Sequence, residues 1–563
     1  MCGIFAVFSK TSVNVPRSGR KESLREFVYR QSARQRHRGP DHTGVVLEEG
    51  VAMVQERLAL LGIRTGAQPM KSSTGDVILA ANGEIYNYLE VAADISKRRG
   101  TSYIPRSDSD VIIGLYEEFG RDLVHHITGM YAFVLYDRVR KCVLIARDPI
   151  GIIPLYMGED VDGNLWVSSE MKCLVDVCCD VKAFPPGTLC WGQPDHLKFE
   201  QFYNPGWSST IPAHHSNLVL LRKSLENAVR SHLQCDVPFG ALLSGGVDSS
   251  LIASIATKIM RERDPNFRLK TYSVGLRGAP DFKYSQMVPD YIGSDHTEVY
   301  FTVDEGLDCI PDIIRHLESY DITTIRASIP MYLLSRFIKS EGLKMVLSGE
   351  GADEIFGGYL YFHRAPNPRA FHEETVTRVR CLHLSDCLRA NKSTMAWGLE
   401  LRVPFLDTEF VNYAMNIRPE DRMPAATDQA VSQKIQESDG KSVENPKIEK
   451  YILRAAFRDN YLPHEVLWRQ KEQFSDGVGY EWIDTIKSFA SSHIEDEDLQ
   501  HAAGDFPINT PSTKEALYYR QIFRDFFPDE IFAGTVMKWI PRTDWGCSAD
   551  PSGRAQAVHI AHE

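Results

Sequence analysis

A chain of 563 residues with 63 basic against 75 acidic side chains has a formal charge of −12, and 43% hydrophobic with 25% charged residues is an ordinary globular balance. The length calls for at least two domains and excludes a small stapled scaffold, while the composition excludes wholesale disorder. An acidic chain is ill suited to phosphate backbones or anionic lipid, so no nucleic acid and no membrane are expected as partners. The eleven cysteines include no CxxC pair, which speaks against a closed zinc site and for reduced, mostly buried thiols. No apolar run approaches roughly 18 residues and no basic stretch leads into an apolar one at the start, so a soluble protein of the cytoplasm, in the cytosol, is expected.

Along the chain, short β-like runs at 4–8, 77–81, 131–136, 143–146 and 165–168 alternate with turn residues, and the clearest helical spacing lies at 111–119. These elements predict an α+β sandwich over 1–205. The stretch YNPGWSSTIPAHHS at 203–216 has the composition of a linker, placed at 206–216. The pattern then changes. An apolar run at 239–243 leads through SGGVDSS (244–250) into helical spacing at 251–260, and strand-loop units come after it at 271–276 and 344–347. Strands alternating with helices predict an α/β, doubly wound parallel sheet over 217–563, with its ligand at the carboxyl ends of the strands. The polar stretch 425–447 reads as an insertion.

SGGVDSS is suited to an anion. Gly245 and Gly246 let backbone amides approach it without a Cβ in the way, and Ser244, Ser249 and Ser250 add hydroxyls. The next helix points its positive end at the same place. The lysine of a GxxxxGK[ST] loop is missing, so a grip on the β- and γ-phosphates in that fashion is not implied. A second loop, SGEGADE at 348–354, also succeeds an apolar strand and adds acidic residues beside two glycines. Magnesium on a triphosphate takes one or two protein carboxylates, which Asp248 and Asp353 are placed to supply.

Cys2 comes directly after the initiator methionine, whose removal would leave it as the first residue. A free α-amine titrates near 7.7 to 8.0, so one residue can then provide both nucleophile and general base. The same position leaves no place for a permanent targeting segment ahead of it.

MCGIF, RHRGPD (36–41), ERL (56–58) and NGEIYN (82–87) together resemble the N-terminal-nucleophile glutaminase domain of class II glutamine amidotransferases. The resemblance implies that Cys2 attacks the glutamine amide, that Asn82 and the Gly83 amide form the oxyanion hole, and that Arg57, Asn82, Glu84 and Asp108 bind glutamine. Arg57 would hold the α-carboxylate and Asp108 the α-ammonium, roles that suit a guanidinium and a carboxylate. The strand, glycine pair, Asp248 and helix look like the PP-loop of ATP pyrophosphatases. A glutaminase joined to a PP-loop domain is similar to the glutamine-hydrolysing asparagine synthetases, and the likeness covers nearly the whole chain through SYDITTIRAS (319–328), SGEGADEIFGGYLYFH (348–363), LRVPFLD (401–407), KEQFSDGVG (471–479) and DPSGRA (550–555). It implies ATP as substrate with Mg2+, Leu243, Val274, Ser348 and Gly349 around the nucleotide, and Glu350 and Lys450 in catalysis. It further implies Thr324 and Arg326 against aspartate, a β-aspartyl-AMP intermediate, and an apolar passage for ammonia. The sequence leaves open whether the chain forms a homodimer.

Several positions depart from the family. QERLALLG places Gln55, Ala59 and Gly62 where the family has His, Ser and Asp, and Arg106 replaces a glycine. Pro289 stands in a predicted helix, at a cost of about 3 kcal/mol unless it falls in the first turn or at a kink. Lys450 and Arg454, four apart, are placed to share a helix face. Two alternatives stay open on sequence: a related ligase that adenylates another carboxylic acid, and an inactive binding homologue.

Overall fold

The computed structural model describes residues 2–9, 22–426 and 447–559. Most of the polar insertion at 425–447 therefore lies outside the described residues; its two ends, Ala425–Ala426 and Lys447–Ile448, pair antiparallel.

Among the described residues, twelve strands build the first half. They are β1 (Gly3–Phe8), β2 (His42–Glu48), β3 (Val51–Arg57), β4 (Met70–Lys71), β5 (Val77–Ile85) and β6 (Gly129–Asp137), then β7 (Cys142–Arg147), β8 (Tyr156–Glu159), β9 (Leu165–Ser168), β10 (Asp180–Ala183), β11 (Thr188–Gln193) and β12 (His196–Gln201). They form two antiparallel six-stranded sheets, ordered β10-β8-β9-β1-β3-β2 and β12-β11-β7-β6-β5-β4. The period-2 alternation of β5 and β6 decides how these stack. Ile78, Ala80, Ala132 and Val134 face the other sheet. Val77, Leu79, Tyr131 and Phe133 face a helical layer made by Tyr88–Arg99 and Val111–Phe119. A sheet covered on both faces needs apolar residues at successive positions, which is why these strands were the legible ones.

The linker is fastened to the second half of the chain, since the Tyr203 hydroxyl and Trp207 Nε1 both donate to Asn412 Oδ1, at 2.7 and 3.0 Å. Beyond the linker, β13 (Phe239–Leu242), β14 (Lys270–Gly275), β15 (Asp295–Tyr300), β16 (Met345–Leu347) and β17 (Glu400–Arg402) form one parallel sheet ordered β15-β14-β13-β16-β17. The strand order reverses between β13 and β16, and a crevice at their carboxyl ends is the place for a ligand in such sheets. SGGVDSS and SGEGADE emerge there side by side.

Two local expectations change. The helix after SGGVDSS begins at Val247, so Asp248, Ser249 and Ser250 belong to its first turn and not to the loop. The helix expected after Pro280 is two short ones, Pro280–Ser285 and Met287–Ile292, which places Pro289 in a first turn where no backbone donor is needed. The interior-proline cost does not arise. Among the described residues no helix is long and apolar enough to cross a membrane.

Candidate active sites

Cys2 is buried at the start of β1, next to Asn82 of β5. Its backbone nitrogen donates to Asn82 Oδ1 at 2.6 Å, its carbonyl accepts from Arg38 Nε at 2.9 Å, and its Sγ lies 3.8 Å from the Leu58 carbonyl. Burial pushes the thiol pKa up, so attack requires a base at hand. Gly83 sits at φ 124°, and a Cβ there would stand 2.0 Å from the Met130 carbonyl on the paired strand. Only glycine takes this conformation so close to the paired strand.

Arg57 closes β3, and its guanidinium is held by the carbonyls of Gly62 at 2.8 Å and Ile63 at 3.1 Å, with no carboxylate involved in that clasp. Asp108 is buried, accepts from the Ile85 N–H at 2.9 Å, and has its carboxyl pushed up to about 6 by burial. Arg57 and Ser107, the neighbour of Asp108, flank the same glycine, Gly66. Arg57 and the turn that carries Asp108 therefore pack around one glycine. Glu84 is the exception among the predicted glutamine contacts: its carboxylate turns away to Arg402 Nη2 at 3.0 Å, leaving only its backbone for a substrate.

The departures from the family also acquire positions. Gln55 lies against the Cys2 thiol and donates to the Ala81 carbonyl at 2.7 Å. Gly62 and Arg106 touch: a Cβ on Gly62, at φ 58°, would meet the Arg106 carbonyl at 2.2 Å. The Arg106 side chain folds back on Asp110, with Nε at 3.0 Å. The glycine lost at one position is matched by a glycine gained at its neighbour in space.

In the second half, Leu243, Ser244, Gly246, Asp248, Ser249, Val274, Ser348 and Gly349 line one cavity together with Glu350 and Asp353. The two loops touch, since a Cβ on Gly349 would lie 2.6 Å from the Ser249 amide. Gly245 and Ser250 do not reach the wall. Gly245 makes the turn at φ 75° against Ser285, and Ser250 points into the helix packing. Glu350 pairs with Arg389 at 2.8 Å, and burial pushes its carboxyl up.

Lys450 is fully buried behind this cavity's charged end, bridging the two aspartates that line it. It caps the helix Tyr451–Ala456 in a left-handed conformation, φ 58°, and its Nζ stands 2.6 Å from Asp248 Oδ2 and 2.6 Å from Asp353 Oδ1. Lys471 adds a second ammonium 2.9 Å from Asp353 Oδ2. Burial would raise Asp353, but the two ammonium groups hold it down at about 2. The helix face expected for Lys450 and Arg454 is not formed, because Lys450 precedes the helix while Arg454 turns to Glu449 Oε1 at 2.6 Å. Lys471 opens the KEQFSDGVG motif, to which the sequence assigned no role, because its acidic partner is far away along the chain.

Thr324 and Arg326 do not reach the cavity. On the helix Ile322–Ser340, Thr323, Ala327 and Leu334 face it, as the 3.6-residue period dictates, and Thr324 is left to cap onto Asp321 Oδ2 at 2.8 Å. Arg326 is bound by Glu515 at 2.6 and 2.8 Å and by Asp550 at 3.3 Å. Thr323, one residue earlier in the same motif, is the threonine on the wall. No group of three or more metal-type ligands occurs among the described residues. The two aspartates still fit a divalent ion, because the buried Asp248 Oδ1 meets no donor among the described residues.

A nucleophile recess and an anion-binding crevice in one chain define a two-site enzyme of the amidotransferase class. The family model for a glutamine amidotransferase domain matches residues 1–186, and that for asparagine synthase matches residues 220–371 and 365–535. The chain is 44% identical to a probable glutamine-hydrolyzing asparagine synthetase of Dictyostelium discoideum, with 100% of each covered. It is 45% identical to glutamine-hydrolyzing asparagine synthetase 1 of Saccharomyces cerevisiae, again with 100% of each covered, and 44% identical to asparagine synthetase B of Escherichia coli, with 99% of each covered. The chain belongs to the glutamine-hydrolysing asparagine synthetase family.

Proposed function

We propose that this chain makes asparagine from aspartate and ATP with glutamine as nitrogen donor, releasing glutamate, AMP and pyrophosphate. The observation that carries the reading is the pairing of the Cys2, Asn82, Gly83, Arg57 and Asp108 cluster with a cavity ending in Asp248 and Asp353, which Lys450 bridges from behind. In the first site the Cys2 α-amine, once free, takes the thiol proton, and the thiolate attacks the glutamine amide carbon. Asn82 and the Gly83 amide receive the developing oxyanion, each donor worth about 3 to 4 kcal/mol. Ammonia leaves as the thioester forms, and water then releases glutamate.

In the second site the aspartate β-carboxylate attacks the α-phosphorus and pyrophosphate departs toward Ser244, Gly246 and Ser249. Lys450 neutralises charge on the α-phosphate. Asp248 and Asp353 would hold a magnesium ion, which when bound neutralises the pyrophosphate oxygens. Glu350, a half-buried carboxyl beside Arg389 on the cavity wall, takes the proton shed as ammonia displaces AMP. A cytosolic setting suits eleven unpaired thiols.

Pyrophosphate release measured with a panel of amino-acid carboxylates, each with glutamine or ammonia, tests the reading. Release with aspartate alone is expected. Release with another acid in place of aspartate would replace the substrate, and no release with any acid would leave a binding protein.

The pH dependence of the glutaminase half stems from Asp108. Its raised value means that the carboxyl protonates as pH falls through about 6 and can no longer pair with an ammonium. The kcat/KM for glutamine hydrolysis should therefore fall more steeply below that point, from about tenfold per unit, set by protonation of the Cys2 amine, to about a hundredfold per unit, since this parameter reports groups of the free enzyme. Asp108→Asn should abolish the inflection along with most of the activity. A profile whose slope does not change between pH 7 and 5 would remove Asp108 from glutamine binding.

A further inference from the structure

The three residues of β17 are a poor advertisement for a strand, since Glu400 and Arg402 carry charge and neither is exposed. Two arms of the Arg402 guanidinium donate hydrogen bonds and the third faces a carboxylate at ion-pair distance, outside hydrogen-bond geometry. Nε donates to Glu400 Oε1 at 2.7 Å, Nη1 to the carbonyls of His232 at 2.8 Å and Gln234 at 2.7 Å, and Nη2 stands 3.0 Å from Glu84 Oε2. The last of these crosses from the parallel sheet to β5 of the other half, one residue beyond Gly83. The main chain of Arg402 faces the opposite way: its carbonyl accepts from the Ser348 amide at 2.9 Å, at the point where β16 opens into the loop bearing Gly349, Glu350 and Asp353.

One residue therefore holds, by its side chain, the strand that carries the oxyanion amide and, by its backbone, the loop that carries the synthetase carboxylates. Burying a guanidinium with two carboxylates is costly, and apolar residues of like volume commonly serve a core at least as well. What they cannot supply is an ionic contact that reaches from β17 to β5. The positive charge also bears on Asp108, helping to keep it ionised.

We infer that Arg402 is a positioning residue that couples the geometry of the glutamine site to that of the nucleotide site. The inference rests on the two-site reading above. It acts through Glu84 and Ser348 and touches no substrate. A displacement of β17 by one ligand is felt at the other site, because both contacts sit on one rigid residue.

Hydrogen exchange at residues 348–353, with and without glutamate in the glutamine recess, reads the coupling directly. Glutamate should slow exchange there by about twofold or more in the unaltered chain, and Arg402→Lys, which keeps the charge but loses the fork, should erase the response. The same variant should keep ammonia-dependent synthesis within about threefold while the glutamate released per pyrophosphate rises severalfold. If Arg402→Lys does not fold, Glu84→Gln severs the same ion pair and should also erase the exchange response. A response that survives in a folded Arg402→Lys or Glu84→Gln variant overturns the inference. Failure of the asparagine reading shows elsewhere, as no pyrophosphate from aspartate in the unaltered chain, and the exchange test still decides the coupling.

Discussion

Cys2→Ala is expected to remove glutamine-dependent asparagine formation by at least about a thousandfold and to leave ammonia-dependent formation within about twofold of the unaltered chain. The first half comes from chemistry: a methyl group cannot form the thioester, and the rest of the recess can only bind. The second comes from placement. Cys2 contacts Asn82, Arg38 and Leu58, all in the first half of the chain, and none of the cavity residues. Alanine also fits the space, since only a buried sulfur is lost, at about 1 kcal/mol of stability. Separate assays of pyrophosphate with glutamine and with ammonium chloride check this. Equal loss of both activities would mean that the two sites are not separate.

Lys450→Met has the opposite signature. Synthesis should fall about a hundred- to a thousandfold with either nitrogen donor, the usual loss on removing one preorganised charge, while glutamine hydrolysis persists. The side chain keeps its length, so the channel beside Gly358, where an added Cβ would come within 2.0 Å of Lys450 Cε, stays filled. What changes is charge. Asp248 and Asp353 lose the ammonium that both share at 2.6 Å, and Asp353 keeps only Lys471. Two buried carboxylates without that cation destabilise the variant by about 3 to 5 kcal/mol, and a divalent ion is the natural replacement. The melting temperature of Lys450→Met should therefore rise with added Mg2+ more than that of the unaltered chain. Retained synthesis would contradict the role given to Lys450, and a Mg2+ response no larger than the parent's would contradict the pairing of the two aspartates.

The fold was legible where burial is apolar. Strands β1, β5, β6, β7 and β9 show it as runs of Val, Ile, Leu and Phe, and the helix Val111–Phe119 appears with the bounds its spacing gave. SGGVDSS was legible because two glycines between a strand and a helix have few other uses. Edge strands β2 and β12, half-buried or exposed along their length, gave no such pattern. Nor did elements that bury charge. β17 reads as polar, and the helix Asp386–Met395, DCLRANKSTM, reads as a surface helix although Cys387 to Met395 are all buried. Their burial makes sense only through partners far along the chain, such as Glu350 for Arg389 and Glu318 for Lys392. The site was legible in its membership more than in its direction. Asp248 and Asp353 arrive together as expected, whereas Thr324 yields the wall to Thr323 by one step of a helix, and Arg326 is claimed by Glu515. An apolar passage for ammonia was expected from chemistry alone, but next to Cys2 the structure has the buried polar chain of Arg38, Glu170 and Asn391.

The central claim is that aspartate is activated through its β-carboxylate on the α-phosphorus and then amidated by nitrogen from glutamine. Aspartate labelled with oxygen-18 in the β-carboxylate, incubated with ATP and amide-nitrogen-15 glutamine, tests it in one mass spectrum. One labelled oxygen should appear in AMP, the other should remain in asparagine, and the asparagine amide should carry nitrogen-15. Unlabelled AMP, or oxygen-18 in inorganic phosphate with ADP as product, would contradict the account.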